Sequence, residues 1–391
     1  MKKKQSKATI FILLFSLIVF VIATSTLSNT LWGGKPEKIE ADLEIVFSQE
    51  MTVKAFGEKN NLSKEVLKKV FALTGKKDLE KLLSEFTMDE AMVSEKINKT
   101  MALHAEEGSK NWVKILVKFL SWFLFLYIMF RFTRAKKVTP GKRKILYLIS
   151  LTIFGVILGS DPSAMGTIKD AIVLYATKGV IFPPRMIALT VFLLLVFFAN
   201  KFFCAWGCQV GTFQDLIFRL NRNKKDTKGL FRQYKPCFAL TNTIRIAFFA
   251  VFTTTAFVWS IDIIEKIDMF KIYKISALSH AGWLFIAVVL MVSLFIYRPW
   301  CSLFCPFGLA GWFVEKLSLF KIKVNYNKCT SCGICAKACP NTSMSAILKQ
   351  DKTIPDCFSC STCINVCPED AIEFAKGKRQ KPEPGKFDKL V

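Results

Sequence analysis

Two cysteine runs near the C-terminus carry the clearest chemistry in this chain. The first is Cys329-x2-Cys332-x2-Cys335-x3-Cys339-Pro340, and the second is Cys357-x2-Cys360-x2-Cys363-x3-Cys367-Pro368. Each has the C-x2-C-x2-C-x3-C-P spacing of a bacterial ferredoxin site, in which the fourth cysteine crosses to the other cluster. The spacing predicts two [4Fe–4S] clusters. Cys329, Cys332, Cys335 and Cys367 hold one, and Cys339, Cys357, Cys360 and Cys363 hold the other. Such a cluster exchanges single electrons without moving atoms far. Disulfides require an oxidising compartment, and zinc sites typically use two cysteine pairs, so neither fits this pattern.

A second set of thiols lies upstream. FFCAWGCQVGTFQDLIFRL (202–220) aligns with PWCSLFCPFGLAGWFVEKL (299–317) at a constant offset. Cys204 matches Cys301, Cys208 matches Cys305, and Gly211 matches Gly308. Repeats of equal orientation imply a pseudo-two-fold axis along a membrane normal, which brings both C-x3-C pairs to one depth. Three readings stay open for Cys204, Cys208, Cys301 and Cys305. They hold a metal or a further cluster, they act as redox thiols, or they are structural, since free cysteine is often a small buried apolar residue. Cys237 stands alone and reads as structural.

Composition frames these sites. Of 391 residues, 52% are apolar and 37 are Phe, which points to a membrane protein. The net charge of +25 is not gathered on one soluble face. The basic residues flank apolar segments, which argues for membrane orientation and anionic lipid and against nucleic acid. Six apolar segments are read at about 8–24, 112–132, 145–158, 186–203, 238–259 and 282–297. The first is longer than a signal-peptide core and lacks a clear A-x-A site, so it reads as an uncleaved anchor. Basic loops at the N-terminus, 131–144 and 219–235 alternate with the other loops. With six spans, all three are cytoplasmic and both termini lie inside a prokaryotic cytoplasmic membrane. None of the thirteen cysteines then falls outside, as expected of reduced, metal-binding thiols.

The expected domains are an N-terminal anchor (1–27), an extracytoplasmic helical module (28–111), a membrane bundle (112–320), a ferredoxin domain (321–376) and a basic tail (377–391). In the module, Leu62, Val66, Val70 and Leu73 fall at helical spacing, with Ser63 or Asn61 as cap and Gly75 as stop. The module reads equally as a spacer packed on the bundle and as a dock for an extracytoplasmic partner. The segment 160–185 reads as a helix lying at the interface, ended by Pro183-Pro184. The segments after each C-x3-C pair read as lying on the cytoplasmic surface. KIKVNY (321–326) and AIEFAKG (371–377) offer the strands of the ferredoxin domain. The fold class is thus a membrane all-α bundle with an internal repeat and a small α+β domain. No C-x-x-C is followed by His, and the only histidines, His104 and His280, fall outside, so no haem is expected. No G-x-G-x-x-G follows a strand, so no nucleotide fold is expected.

The chain resembles the polyferredoxin membrane proteins that accompany periplasmic nitrate and nitrous-oxide reductases. The residues carrying the resemblance, within about 140–375, are Cys204, Cys208, Cys301, Cys305, Pro306 and the eight tail cysteines. The resemblance implies electron transfer between the quinone pool, cytoplasmic clusters and an extracytoplasmic redox system. No substrate-binding or acid–base constellation is visible, so the chain reads as a subunit or accessory of an oxidoreductase, with oxidoreductase subunits as partners, rather than as a complete enzyme. The chain departs from the family at Gln209, where the second copy has Pro306, and lacks an S-G-A-T sequence, so no covalent flavin is expected. The alternative is a metal-handling or cofactor-maturation factor that reduces a metal or thiol at the C-x3-C pairs. A third reading is a redox sensor signalling through the outside module.

Overall fold

Long apolar runs dictate most of the architecture of this chain, for which a computed structural model describes residues 7–32, 45–86, 88–274, 276 and 278–387. The basic start at 1–6, the stretch 33–44 of the expected outside module and the last four residues of the tail lie outside the described residues. Among the described residues, three helices are long and apolar enough to cross a membrane: α1 (Lys7–Leu31), α5 (Trp112–Arg134) and α11 (Phe238–Trp259). Each leaves large apolar side chains exposed, among them Phe15, Leu124 and Val258, as a lipid-facing helix does. Two shorter apolar helices, α8 (Pro183–Ala199) and α12 (His280–Val292), correspond to two more expected spans. The remaining one, expected at 145–158, is α6 (Pro140–Ser150) continued by a π-helical stretch, Leu151–Ile157. Gly155 in that stretch lets Tyr273 approach: a Cβ there would lie 2.6 Å from the ring.

The module expected outside packs α2 (Val53–Lys59), α3 (Lys64–Phe71) and α4 (Glu90–Gly108) around Phe56, Val66, Val70, Phe71 and Ile97. Ser63, rather than Asn61, caps α3 by accepting the Val66 N–H at 3.3 Å. The helix stops before Gly75, with Ala72 in the left-handed conformation. The module touches the bundle. Leu103 packs on Leu174 and Phe182, and Arg185 donates to Glu106 at 2.8 Å.

The segment expected at the interface forms α7 (Ala164–Lys178). It packs against α8, α11 and a later helix, α14 (Pro306–Glu315). Its Lys169 is buried and donates to Asp262 at 3.1 Å and to Glu265 at 2.6 Å, so the charge is paired where it leaves water.

The tail domain pairs β1 (Phe320–Val324) antiparallel with β2 (Ile372–Lys376), Ile322 opposite Phe374. The two runs lie on loops and on the short helices α15 (Ile334–Ala338) and α17 (Thr362–Val366), which touch each other, with α16 (Ser343–Lys349) between. The hairpin rests on the bundle through Phe320 and Phe374, both against Phe130, with Phe374 stacked on Phe202 at 5.6 Å. Leu319 N–H donates to the carbonyl of Phe197 at 2.8 Å, so the sheet begins where α8 ends.

Candidate iron–sulfur and thiol sites

The tail cysteines line two separate concavities. Cys329, Cys332, Cys335 and Cys367 line one, with Val324 and Leu348 as apolar wall. Cys339, Cys357, Cys360 and Cys363 line the other, with Ile322, Ile347 and Phe358. The two sets are those obtained when each fourth cysteine crosses over. Gly333 and Ser361 take left-handed conformations in the turns that start α15 and α17, so the same bend recurs in both runs. Among the described residues, no three His, Cys, Asp or Glu side chains converge closely enough for one metal ion. Eight thiols in two open sets with apolar walls suit a cluster held between spread ligands, and such a cluster supplies one-electron exchange.

The two sets differ in exposure. Cys332 is exposed and Ile334 beside it faces solvent, whereas Cys357 and Phe358 are buried against the bundle. Burial is expected to oppose ionisation of Asp356, but Lys201 and Arg245 overcome it and hold the carboxyl below its ordinary value. Lys201 donates to Asp356, and Arg245 donates to it at 2.8 Å. Glu315 accepts the Cys357 N–H at 3.0 Å, and burial pushes its carboxyl up to about 8. The loop before the second run is therefore fixed to the bundle by charge.

The same cations hold the C-x3-C turns. Cys204 lies in α9 (Phe202–Trp206), and Cys208 is the N-cap of α10 (Gln209–Leu220). Cys301 lies in α13 (Pro299–Leu303), and Cys305 is the N-cap of α14. Arg298, just before the second turn, reaches the first and donates to Cys204 O at 2.6 Å. Lys201, just before the first turn, reaches the second and donates to Gly308 O at 2.7 Å. Lys201 and Arg298 stand at the offset of the sequence repeat, one residue ahead of the aligned stretch. Extending the alignment by that residue would have found them. Arg245 and Asp356 carried no sequence signal, because their partners are remote in the chain.

The matched glycines acquire a reason. A Cβ at Gly211 would lie 2.5 Å from Cys204 O, and one at Gly308 would lie 2.6 Å from Cys301 O. Each turn folds back until only a hydrogen fits. Replacing Gly308 with alanine is expected to open its turn and cost at least the ~1–3 kcal/mol of ordinary overpacking. Thermal unfolding in detergent measures the loss, and an unchanged midpoint would show that the turn yields freely.

One expectation is corrected here. The segment after the first pair does not lie on the cytoplasmic surface: every residue of α10 from Gln209 to Arg219 is buried. Its charges are paired within the bundle. Asp215 accepts from Arg219 at 2.6 Å, Arg298 at 2.7 Å and the Tyr297 hydroxyl at 2.6 Å. Asp226 accepts from Arg143 and Arg219. At the other end of α10, the Gln209 amide donates to Ser160 O at 3.1 Å, on the loop expected outside. The four upstream thiols therefore sit inside the bundle. Cys237 is exposed at the start of α11, and His104 of α4 sits beside Glu65 of α3 at 3.3 Å.

Comparison with known proteins adds family and relatives. A family model described as a 4Fe-4S binding domain matches twice, over 181–228 and 279–325, so each match contains one C-x3-C pair. A second model of the same description matches 322–342, which holds the first tail run. YccM of Escherichia coli strain K12, described as a candidate electron transport protein, is 29% identical over 184 residues. That alignment covers 43% of this chain and 49% of YccM, so the chain spans about half the length of that relative. The uncharacterized protein MJ0749 of Methanocaldococcus jannaschii is 25% identical over 229 residues, 58% of this chain and 81% of that protein. No solved structure is significantly similar. With the paired cysteine runs, these matches establish a largely helical chain with candidate membrane-spanning helices that carries two [4Fe–4S] clusters.

Proposed function

We propose that the chain is a membrane-bound iron–sulfur electron carrier, passing electrons between cytoplasmic clusters, the quinone pool and an extracytoplasmic redox system. The observation that carries this reading is the seating of the tail. One cysteine set is open to solvent at Cys332, and the other is packed on the bundle beside Phe358 and Asp356. An electron can thus enter at the surface and leave toward the membrane, or the reverse. YccM, described as a candidate for electron transport, is similar over part of the chain and supports the reading. The ligand sets are those of the two concavities, Cys329, Cys332, Cys335 and Cys367 in one and Cys339, Cys357, Cys360 and Cys363 in the other. The bundle crosses the membrane six times with both termini cytoplasmic, α6 with its π-helical extension, α8 and α12 serving as the shorter spans. The Lys201 and Arg298 contacts across the two C-x3-C turns support an internal pseudo-two-fold axis. Cys204, Cys208, Cys301 and Cys305 act as one site. The partners are oxidoreductase subunits on the two faces.

Reconstituted liposomes test the carrier. With a membrane-impermeant reductant outside and ferricyanide trapped inside, chains with their tails outward are expected to bleach the trapped acceptor. Bleaching no faster than in protein-free liposomes, with the tail clusters visibly reduced, would defeat transmembrane transfer. Reporter fusions near residue 81 and at the C-terminus are expected on opposite sides. The same side for both would defeat the six-span topology.

A further inference from the structure

We propose that Arg143, Arg219 and Arg222 set the direction of electron flow through the tail, by making the bundle-facing cysteine set (Cys339, Cys357, Cys360 and Cys363) the preferred place for an added electron. The proposal rests on the reading of the chain as a two-cluster carrier and deepens it, since that reading leaves the direction open.

The first support is position. Arg143 of α6 and Arg219 of α10 are fully buried, and Arg222, just after α10, is 3% exposed. Arg219 Nη1 donates to the Thr362 hydroxyl at 3.2 Å, and that hydroxyl lies 3.4 Å from the Cys360 sulfur. Thr362 and Cys360 both line the concavity of the bundle-facing set. The Arg222 guanidinium acts electrostatically on Cys339 and Cys360 of the same set.

The second support is charge. All three arginines share Asp226: Arg143 and Arg219 meet its Oδ2, and Arg222 Nε lies 3.5 Å from its Oδ1. The only other carboxylate paired with them is Asp215, which Arg219 shares with Arg298. Three buried guanidiniums thus face less than their equal of negative charge, which is costly. An iron–sulfur cluster on four thiolates is a net anion, and each electron it takes adds to that charge. Buried cations beside the set therefore favour its reduced state.

The third support is a group of buried donors. Arg143 Nε and Nη2, Arg219 Nη2, and Arg222 Nε and Nη1 make no hydrogen bond among the described residues. One carboxylate oxygen, Asp226 Oδ1, stands open beside these five. Buried donors are nearly always satisfied, so this imbalance points to negative charge beyond Asp226 and Asp215.

The exposed set differs. Its lining residues include no cation, and Glu369 stands among them. Lys328 and Lys337, close to its cysteines in the chain, are exposed, where water and salt screen them. Burial by itself would disfavour added charge at the bundle-facing set, and the three arginines reverse that order. An electron shared between the two sets rests on the bundle-facing one, with no bond made or broken, and flow runs from Cys332 toward the bundle.

The test is a potentiometric titration of the full chain, purified anaerobically in detergent and followed by electron paramagnetic resonance. The signal that survives Cys332→Ala belongs to the bundle-facing set. In the unsubstituted protein that signal is expected to appear first as the potential is lowered. Arg222→Gln is expected to disfavour its appearance about tenfold, ~59 mV for one electron, and to leave the midpoint of the exposed set in place. Arg222→Lys keeps the charge and is expected to restore most of the loss. Reduction of the bundle-facing set after the exposed one in the unsubstituted protein would overturn the proposal. So would an unmoved midpoint in Arg222→Gln, or an equal shift at both sets. Should Arg222→Gln fail to fold, the order of the two midpoints in the unsubstituted protein and the same titration of Arg143→Met decide. Fewer than two titrating signals in the unsubstituted protein would instead defeat the two-cluster reading, and the proposal with it.

Discussion

Cys363→Ala is expected to remove about four irons per chain and to weaken the remaining tail cluster, whereas Cys332→Ala removes the same number with less damage to the tail domain. The difference follows from position. Cys363 belongs to the set with Cys357 and Phe358, which are buried on the bundle, while Cys332 is exposed at the far set. Both variants lose thiolate ligation, and a site that loses a thiolate loses metal. Only the first also empties the wall against which Tyr297 and Phe358 pack, with ring centroids 5.8 Å apart. The measurements are iron per chain and limited proteolysis between the bundle and β1. Full iron in both variants would show that these cysteines are not ligands. Equal proteolysis would show that the set facing the bundle does not anchor the domain.

Asp356→Asn is expected to be among the most damaging single changes outside the cysteines. The carboxylate is buried and holds two buried cations, Lys201 and Arg245. Taking one member from a buried charge set leaves the others uncompensated and costs about 3–5 kcal/mol. The exposed pair of Asp370 with Lys136 is the control, because Asp370→Asn is expected to cost no more than ~1 kcal/mol. Thermal unfolding of both variants in one detergent makes the comparison, and iron content reports whether the second tail set survives. Similar midpoints would mean that water reaches Asp356 and that the charge set does not seat the tail.

The chain declared its chemistry through local spacing. Eight cysteines at C-x2-C-x2-C-x3-C-P intervals announced two clusters because three thiols spaced two apart share a turn, and a turn is a local object. The strand pair at 320–324 and 372–376 and the long apolar helices α1, α5 and α11 were legible for the same reason. The matching of the two C-x3-C stretches was legible as well, down to Gly211 and Gly308, though the reason for those glycines was not. That reason is the approach of each to a carbonyl seven residues earlier, which depends on how sharply the chain folds back.

Tertiary structure decided what lies beyond such spacing. Asp356 and Arg245 are 111 residues apart, and no local pattern announces that they meet. The burial of α10 was invisible because its polar residues, Asp215 and Arg219, look like a solvated face until Arg298, Tyr297 and Asp226 are seen to surround them. The burial of Lys169 in α7 was hidden likewise, since it reads as a surface charge until the carboxylates of 262 and 265 arrive from the loop after α11. Hydrophobic periodicity reports which residues avoid water. It does not report a buried charge whose partner comes from elsewhere in the chain, and here such charges decide how the thiol turns and the tail are held together.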